Sequence, residues 1–339
     1  MSTLSTLDID AEFARIVDEL TRRGFLTGAA GAAVLVGLAG CGSSGSGGSH
    51  TSSLSTRKRT VKTVYGDVEV PTDPKRIVAL YFPEAMALAD LGIAPVAVGG
   101  YFPPLPTYTK LFKGLPAVTD NNNVPDLEKI AALKPDLIVG DTFSVGASDN
   151  RKRYQQLSAI APTAIFEWTT AGGNWQAEAA GAAAAVGETA QMNSLRAAYL
   201  AHAEKIKSTY AHVLATHMVD LVSANDATNW VLYGPTSSVG KVLAAAGARF
   251  GAARDQKDAF VQYSAEKYDV LNHTDLVLVA STGPNDPGIA KNVTSSPLFA
   301  RLPAAKNDGV FTAPWFFPAS YQVAHALLDD FEHALEKVN

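Results

Sequence analysis

Residues 189–214 run for 26 positions without glycine or proline, and Leu195, Tyr199, Ala203, Ile206, Tyr210 and Val213 recur within them at intervals of three and four. That spacing predicts one continuous amphipathic helix. At about 1.5 Å per residue it would span roughly 35–40 Å, more than a helix packed within one lobe needs, so it predicts an element that joins two lobes. The flanking sequence agrees. Short apolar runs bounded by Pro, Gly or Asp lie at 77–80, 96–98, 137–139 and 163–166, with helical stretches at 84–91, 127–133 and 151–157 between them. After the long helix the alternation resumes, with strands at 219–222, 229–232, 276–279 and 310–312 and helices at 239–246, 265–271 and 321–337. A small hairpin is expected at 61–70, turning at Gly66-Asp67. The expectation is an α/β protein: two parallel-sheet α/β lobes, 61–188 and 215–339, joined by one long rigid α-helix at 189–214.

The first forty residues have the pattern of an address. Thr21-Arg22-Arg23-Gly24-Phe25-Leu26 matches the twin-arginine export pattern, and an Ala/Gly-rich, mildly apolar stretch follows at 28–39. That stretch is too short to span a bilayer, which takes about 20 apolar residues. It ends in Leu38-Ala39-Gly40-Cys41, which resembles the bacterial lipobox, and Cys41 is the only cysteine of 339 residues. Residues 1–40 are therefore expected to be a twin-arginine lipoprotein signal peptide, with Arg22 and Arg23 its export signal. Residues 41–60 are expected to be a lipidated cysteine and a Gly/Ser tether. This places the folded part on the extracytoplasmic face of the cell membrane, held there through its lipid.

Lys and Arg number 28 against 33 Asp and Glu, a net charge of −5, with no long single-sign run. Nucleic acid is therefore excluded as the main partner, because phosphate binding needs clustered cations. No Gly-x-Ser-x-Gly elbow or His-Glu-x-x-His pair is present, so no catalytic set is expected. The segment 234–242 superficially suggests a phosphate loop, but five residues separate its glycines and Val242 follows Lys241. It reads better as a loop entering a helix capped by Ser237 or Ser238.

Three segments carry a family resemblance in order: Pro74-Lys75-Arg76-Ile77-Val78-Ala79-Leu80, Leu91-Gly92-Ile93-Ala94-Pro95-Val96-Ala97-Val98-Gly99, and Asp126-Leu127-Glu128-Lys129-Ile130-Ala131-Ala132-Leu133-Lys134-Pro135-Asp136-Leu137-Ile138. They resemble the substrate-binding lipoproteins of ABC importers for iron–siderophores, haem and cobalamin, and the resemblance extends over residues 61–337. It implies a class III periplasmic-binding-protein-like fold, with a ligand held in a shallow cleft between the lobes and no chemistry done on it. The implied ligand is an Fe(III)-siderophore, with haem or cobalamin on the same scaffold as alternatives. A cell-envelope interaction module without transport is a further alternative. The implied partners are ABC permease subunits; no cofactor is expected, and the chain is expected to be a monomer.

Ligands of open parallel sheets sit beyond the carboxyl ends of the strands. Aromatic residues stand at those places here: Tyr81, Tyr101, Phe143 and Trp168 in the first half, then Trp230, Trp315, Phe316 and Phe317. Tyr81, Tyr101, Trp168, Trp230, Trp315 and Phe316 are the candidate ligand contacts, core filling being the competing reading for each. Arg254, with Arg249 nearby, is the candidate cation for an anionic chelate, against a solvated surface arginine.

Bare-metal relatives of the fold take His and carboxylate ligands from both lobes. The seven histidines all lie outside the first lobe, so no metal site is expected. The resemblance also implies docking on the permease through one glutamate per lobe. Glu266 in Ser264-Ala265-Glu266 matches the second-lobe position. In the first lobe Met86 stands where the family has Glu, and Glu84, two residues earlier and about 200° round a helix, is the candidate docking residue there.

Overall fold

The computed structural model describes residues 57–99, 110–120, 123–145, 150–169, 173–224, 226–281, 288–315 and 317–338. The export signal, Cys41 and residues 42–56 of the expected tether lie outside them, as do Tyr101 and Phe316; residues 58–60, expected to belong to the tether, are strand instead. Strands β1 (Lys58–Thr63) and β2 (Gly66–Pro71) pair as a hairpin. Its turn falls at Val64-Tyr65, two residues before the expected place, and Gly66 follows at φ 107°, a left-handed backbone that favours glycine.

Four strands make the first sheet, β3 (Ile77–Ala79), β4 (Ala97–Val98), β5 (Leu137–Asp141) and β6 (Thr163–Phe166), in the order β4-β3-β5-β6. All neighbours are parallel and every strand residue is buried, as a parallel sheet covered on both faces requires. The helices of this half include α1 (Phe82–Asp90), α2 (Leu127–Ala132), α3 (Asn150–Ile160) and α4 (Trp175–Val186). Pro83 sits in the first turn of α1, where its missing N–H costs nothing. Asp126 caps α2 by accepting from the Lys129 amide at 3.0 Å, and α4 ends on Gly187 in the left-handed region.

The long helix is interrupted. It forms α5 (Thr189–Thr209) and α6 (Ala211–Thr216), with Tyr210 between them at φ −106°, ψ 24°. Ser208, Thr209 and Tyr210 are three successive poor helix formers, and Ser208 Oγ donates back to the Lys205 carbonyl at 3.0 Å. The buried Tyr210 ring is drawn toward the C-terminal helix, its hydroxyl 3.3 Å from Glu336 Oε1. The expected long helix over 189–214 is thus present, about 30 Å of it as α5, with a break at the single residue Tyr210 across which the Tyr210 amide still bonds the Ile206 carbonyl and the Leu214 amide the Tyr210 carbonyl, each at 2.9 Å.

Strands β7 (Val219–Ser223), β8 (Asn229–Tyr233), β9 (Phe260–Ser264), β10 (Leu276–Ala280) and β11 (Val310–Ala313) form the second sheet in the order β11-β10-β7-β8-β9. Strands β7, β10 and β11 are parallel, β7 and β10 wholly buried and the edge strand β11 buried only at Ala313; β8 and β9 run antiparallel and alternate in burial. This sheet is therefore mixed, with one solvated face along its β8–β9 edge, rather than parallel throughout. Helix α7 (Ser238–Ala245) starts as the sequence suggests, with Ser237 Oγ accepting from the Gly240 amide at 3.0 Å. Then come a 3-10 turn at Ala265–Leu271, α8 (Gly288–Thr294), α9 (Pro303–Lys306) and α10 (Tyr321–Val338).

The sheets are distinct, but residues 59–339 form one unit. One reason is a joint at the start of α10. Asp90, the last residue of α1, accepts from the Tyr321 amide at 2.6 Å and so caps the C-terminal helix from the first half of the chain. Beside it Trp175 of α4, Tyr199 of α5 and Tyr321 of α10 meet with ring centroids 5.0–5.8 Å apart.

Candidate functional site

Strand order locates the place where a ligand would enter. The chain leaves β3 for β4 on one side and returns to β5 on the other, so the loops after β3 and β5 part company at the carboxyl edge of the sheet. Tyr81 follows β3 and Phe143 follows β5, and their ring centroids are 5.2 Å apart. Trp168, after β6, completes the group at 5.7 Å from Tyr81 and 6.1 Å from Phe143. The second half contributes Phe317, which follows β11 and lies 6.3 Å from Trp168 with rings 19° from parallel, and 5.9 Å from Phe82. Five rings from both halves thus form one cluster. Phe143 is 45% exposed at its edge, and Tyr81, Trp168 and Phe317 are half-buried.

Local hydrogen bonds hold this edge. The Trp168 amide donates to Thr142 Oγ1 at 3.0 Å, and Asn174 Oδ1 accepts from the Thr169 amide at 3.0 Å and its hydroxyl at 2.7 Å. Next to Trp168 a cleft of 580 Å³ opens between the halves, lined by Thr169 and Gly173 on one side and Thr236, Lys241 and residues 257–260 on the other. That volume suits a small-molecule ligand. Lys241 Nζ reaches across it to donate to the Gly173 carbonyl. Lys257 and Phe260 are exposed at its wall.

Behind Tyr81 lie three buried carboxyls, Glu84 in the first turn of α1, Asp141 at the end of β5 and Glu178 in the first turn of α4. Burial pushes Glu178 up to about 9 and Asp141 up to about 6, and raises Glu84 as well. Burial, then the charges of Asp141, Glu84 and Glu178, push the Tyr81 phenol up to about 12, so it stays a neutral donor at the cluster.

Several expectations are corrected. Trp230 is fully buried, stacked on Tyr263 and Tyr268 with centroids 4.8 and 5.1 Å away, its Nε1 donating to the Ser264 carbonyl at 3.0 Å. It is core and offers no face to a ligand. Trp315 is 9% exposed and belongs to the core as well, its ring covered where Phe317, two residues on, is open. Arg254 is exposed, 3.4 Å from the equally exposed Asp255, and is absent from the cleft wall; Lys241 and Lys257 stand there instead. Arg249 turns to the Ala215 carbonyl. Glu84 cannot dock on a partner, because it is 0% exposed with both oxygens facing the interior. Met86 is buried too, while Glu266 is exposed at the start of the 3-10 turn. Tyr81 and Trp168, both candidates from the sequence, lie together at this edge; Lys241, Lys257 and Phe260, which line the cleft, were not among the candidates.

Comparison with known proteins gives the same picture. The profile of the family described as "Periplasmic binding protein" matches residues 77–315. The lipoprotein YhfQ of Bacillus subtilis, provisionally named an ABC transporter substrate-binding lipoprotein, is 27% identical over 79% of this chain and 85% of its own. The iron(3+)-hydroxamate-binding protein YxeB of the same organism is 32% identical over 35% of this chain and 33% of its own. Among solved structures, the siderophore periplasmic binding protein from the fuscachelin gene cluster of Thermobifida fusca superposes with a TM-score of 0.69. It is 24% identical and covers 79% of this chain and 98% of its own, a likeness of fold.

Proposed function

Because this chain belongs to the periplasmic binding protein family, we propose that it is the extracytoplasmic receptor of an ABC importer that captures an Fe(III)-siderophore. The observation that carries this reading is the ring cluster of Tyr81, Phe82, Phe143, Trp168 and Phe317, built from both halves beside the 580 Å³ cleft. Rigid aromatic faces bind a bulky chelate at small entropic cost, and a neutral phenol at Tyr81 donates to its oxygens. The names of relatives support the same substrate class, YxeB being an iron(3+)-hydroxamate-binding protein. Nothing in this reading requires chemistry on the ligand. Delivery would use the exposed Glu266, which pairs with arginines of a permease subunit; the buried Glu84 has no part in it.

Two lysines supply the charge. Lys241 and Lys257 are the cations at the cleft wall, so Lys257→Gln and Lys241→Gln weaken an anionic ferric chelate by about tenfold and a neutral one much less. A calorimetric titration against ferric siderophores of both charge types, haem and cobalamin reads this. Tighter binding of haem or cobalamin than of every ferric siderophore would overturn the substrate class. Equal losses for charged and neutral chelates would remove the lysines from the site.

The address is part of the proposal. Export through the twin-arginine route and lipidation at Cys41 would hold the receptor at the membrane surface by a tether of about 20 residues. Replacing Arg22 and Arg23 by Lys is expected to leave the chain in the cytoplasm, while Cys41→Ala lets it cross without an anchor. Membrane fractions that contain both variants at the normal level would refute the assignment.

A further inference from the structure

Three carboxylates buried together with no cation are an electrostatic problem that the molecule must solve. Glu84, Asp141 and Glu178 are 0%, 0% and 1% exposed, and one carboxylate oxygen from each lies within 4.8 Å of the others. A cluster of acids alone would say little. What distinguishes this one is that its oxygens are orphaned. Neither oxygen of Glu84 and neither of Glu178 has a hydrogen-bond partner; Asp141 Oδ1 accepts from the Ser144 amide at 2.7 Å, but its Oδ2 has none. Five buried carboxylate oxygens of these three residues therefore lack a hydrogen-bond partner, and one oxygen from each residue lies within 4.8 Å of the others. No Lys, Arg or His among the described residues forms an ion pair with any of them. Buried polar atoms in folded proteins are nearly always satisfied, and buried charges are paired or coordinate metals.

The spacing suits an ion. Ca2+ binds oxygen at about 2.3–2.6 Å, so two ligands on opposite sides of one ion lie about 4.6–5.2 Å apart, and adjacent ligands lie closer. One oxygen from each of the three carboxyls lies within 4.8 Å of the others, so a single ion can reach all three. The donor set is all carboxylate, with no sulfur or imidazole, which selects a hard cation over zinc or copper. The ligands also come from three elements, α1, β5 and α4, which a bound ion would clamp at the edge carrying Tyr81 and Phe143. We propose that Glu84, Asp141 and Glu178 hold one hard divalent cation of the Ca2+ type inside the first sheet's helical cover, as a structural site distinct from the ligand cleft. The expectation of no metal rested on where the histidines fall, and a carboxylate-only site leaves no such trace. The proposal is independent of which ligand the cleft takes.

The test uses the full chain in the absence of any siderophore. After passage over a chelating resin, the protein is titrated with Ca2+, Mg2+ or Mn2+ alone, followed by calorimetry, metal analysis and thermal melting. One equivalent of cation is expected to bind. At a hundredfold excess over its dissociation constant it raises Tm by about 5 °C. In the double variant Glu84→Met, Glu178→Met the side chains keep a similar volume and leave no orphaned oxygens. It is expected to melt no lower than the metal-free wild type and to show no response to metal. If that variant does not fold, the wild-type titration and the single change Asp141→Asn, which should weaken binding at least tenfold, decide the matter. A wild-type protein that binds no equivalent of any of the three cations and shows no rise in Tm at 10 mM overturns the proposal, since the acids then share protons instead. So does a folded double variant that binds as tightly as wild type.

Discussion

Replacing Trp168 by alanine weakens capture of a ferric siderophore by about 30-fold or more and leaves the fold in place. Trp168 touches Tyr81, Phe82, Phe143 and Phe317, so it is the ring shared by both halves of the cluster, and it is only half-buried. Its neighbour Thr169 lines the cleft. Truncating an aromatic anchor at a binding hot spot costs about 2 kcal/mol or more, and each 1.4 kcal/mol is about tenfold in affinity. The stability lost is smaller, because the ring already contacts solvent and its amide bond to Thr142 Oγ1 belongs to the backbone, which alanine keeps. Equilibrium dialysis against a radiolabelled iron chelate measures the first effect and a urea titration the second. Trp168→Phe should recover most of the affinity. An affinity within twofold of wild type for the alanine variant would take Trp168, and with it the cluster, out of the site.

Sequence patterning exposed the parts of this molecule that obey one rule at a time. The apolar runs at 77–80, 137–139 and 276–279 are buried parallel strands because nothing but a doubly covered strand tolerates them. Helix α4 escaped notice because its run Trp175-Gln176-Ala177-Glu178-Ala179-Ala180-Gly181 is alanine-rich on every side and has no polar stripe to reveal a period. Strand β9 escaped for the converse reason: its alternating exposure marks an edge strand, and its five residues lie inside a long connection. The site was legible only in part. Aromatics after strands pointed to Tyr81 and Trp168, which share the partly open ring cluster, but the same signal selected the buried Trp230, and residue type could not tell the two kinds apart. Pairing decides that, since β8 lies between β7 and β9 while Trp168 stands beyond the last residue of β6. Glu84 shows the same limit. A helix wheel placed it off the docking face, but only the packing of α1 among β5 and α4 shows that it points inward.

Trp230→Ala is expected to give the largest loss of stability of any substitution considered, about 3–5 kcal/mol, with little direct effect on the ligand. The ring is 0% exposed and lies between Tyr263, 4.8 Å away at 22°, and Tyr268, 5.1 Å away at 15°, so its removal opens a cavity between two aromatic faces. Tyr268 in turn meets Phe299 edge to face at 5.3 Å, so the damage extends from β8 into the turn that carries Glu266. Loss of Nε1 also leaves the Ser264 carbonyl, which accepts from it at 3.0 Å, without that donor at the start of the same turn. Trp230→Phe separates the two effects. It keeps a ring in the stack and loses only the hydrogen bond and part of the volume, so it should cost less than half as much. Urea unfolding followed by circular dichroism reads both variants, with the midpoint expected to fall and the slope to stay the same. If Trp230→Ala instead melts like wild type and loses affinity for a ferric chelate, the ring faces the ligand and the packing described for β8 and β9 is wrong.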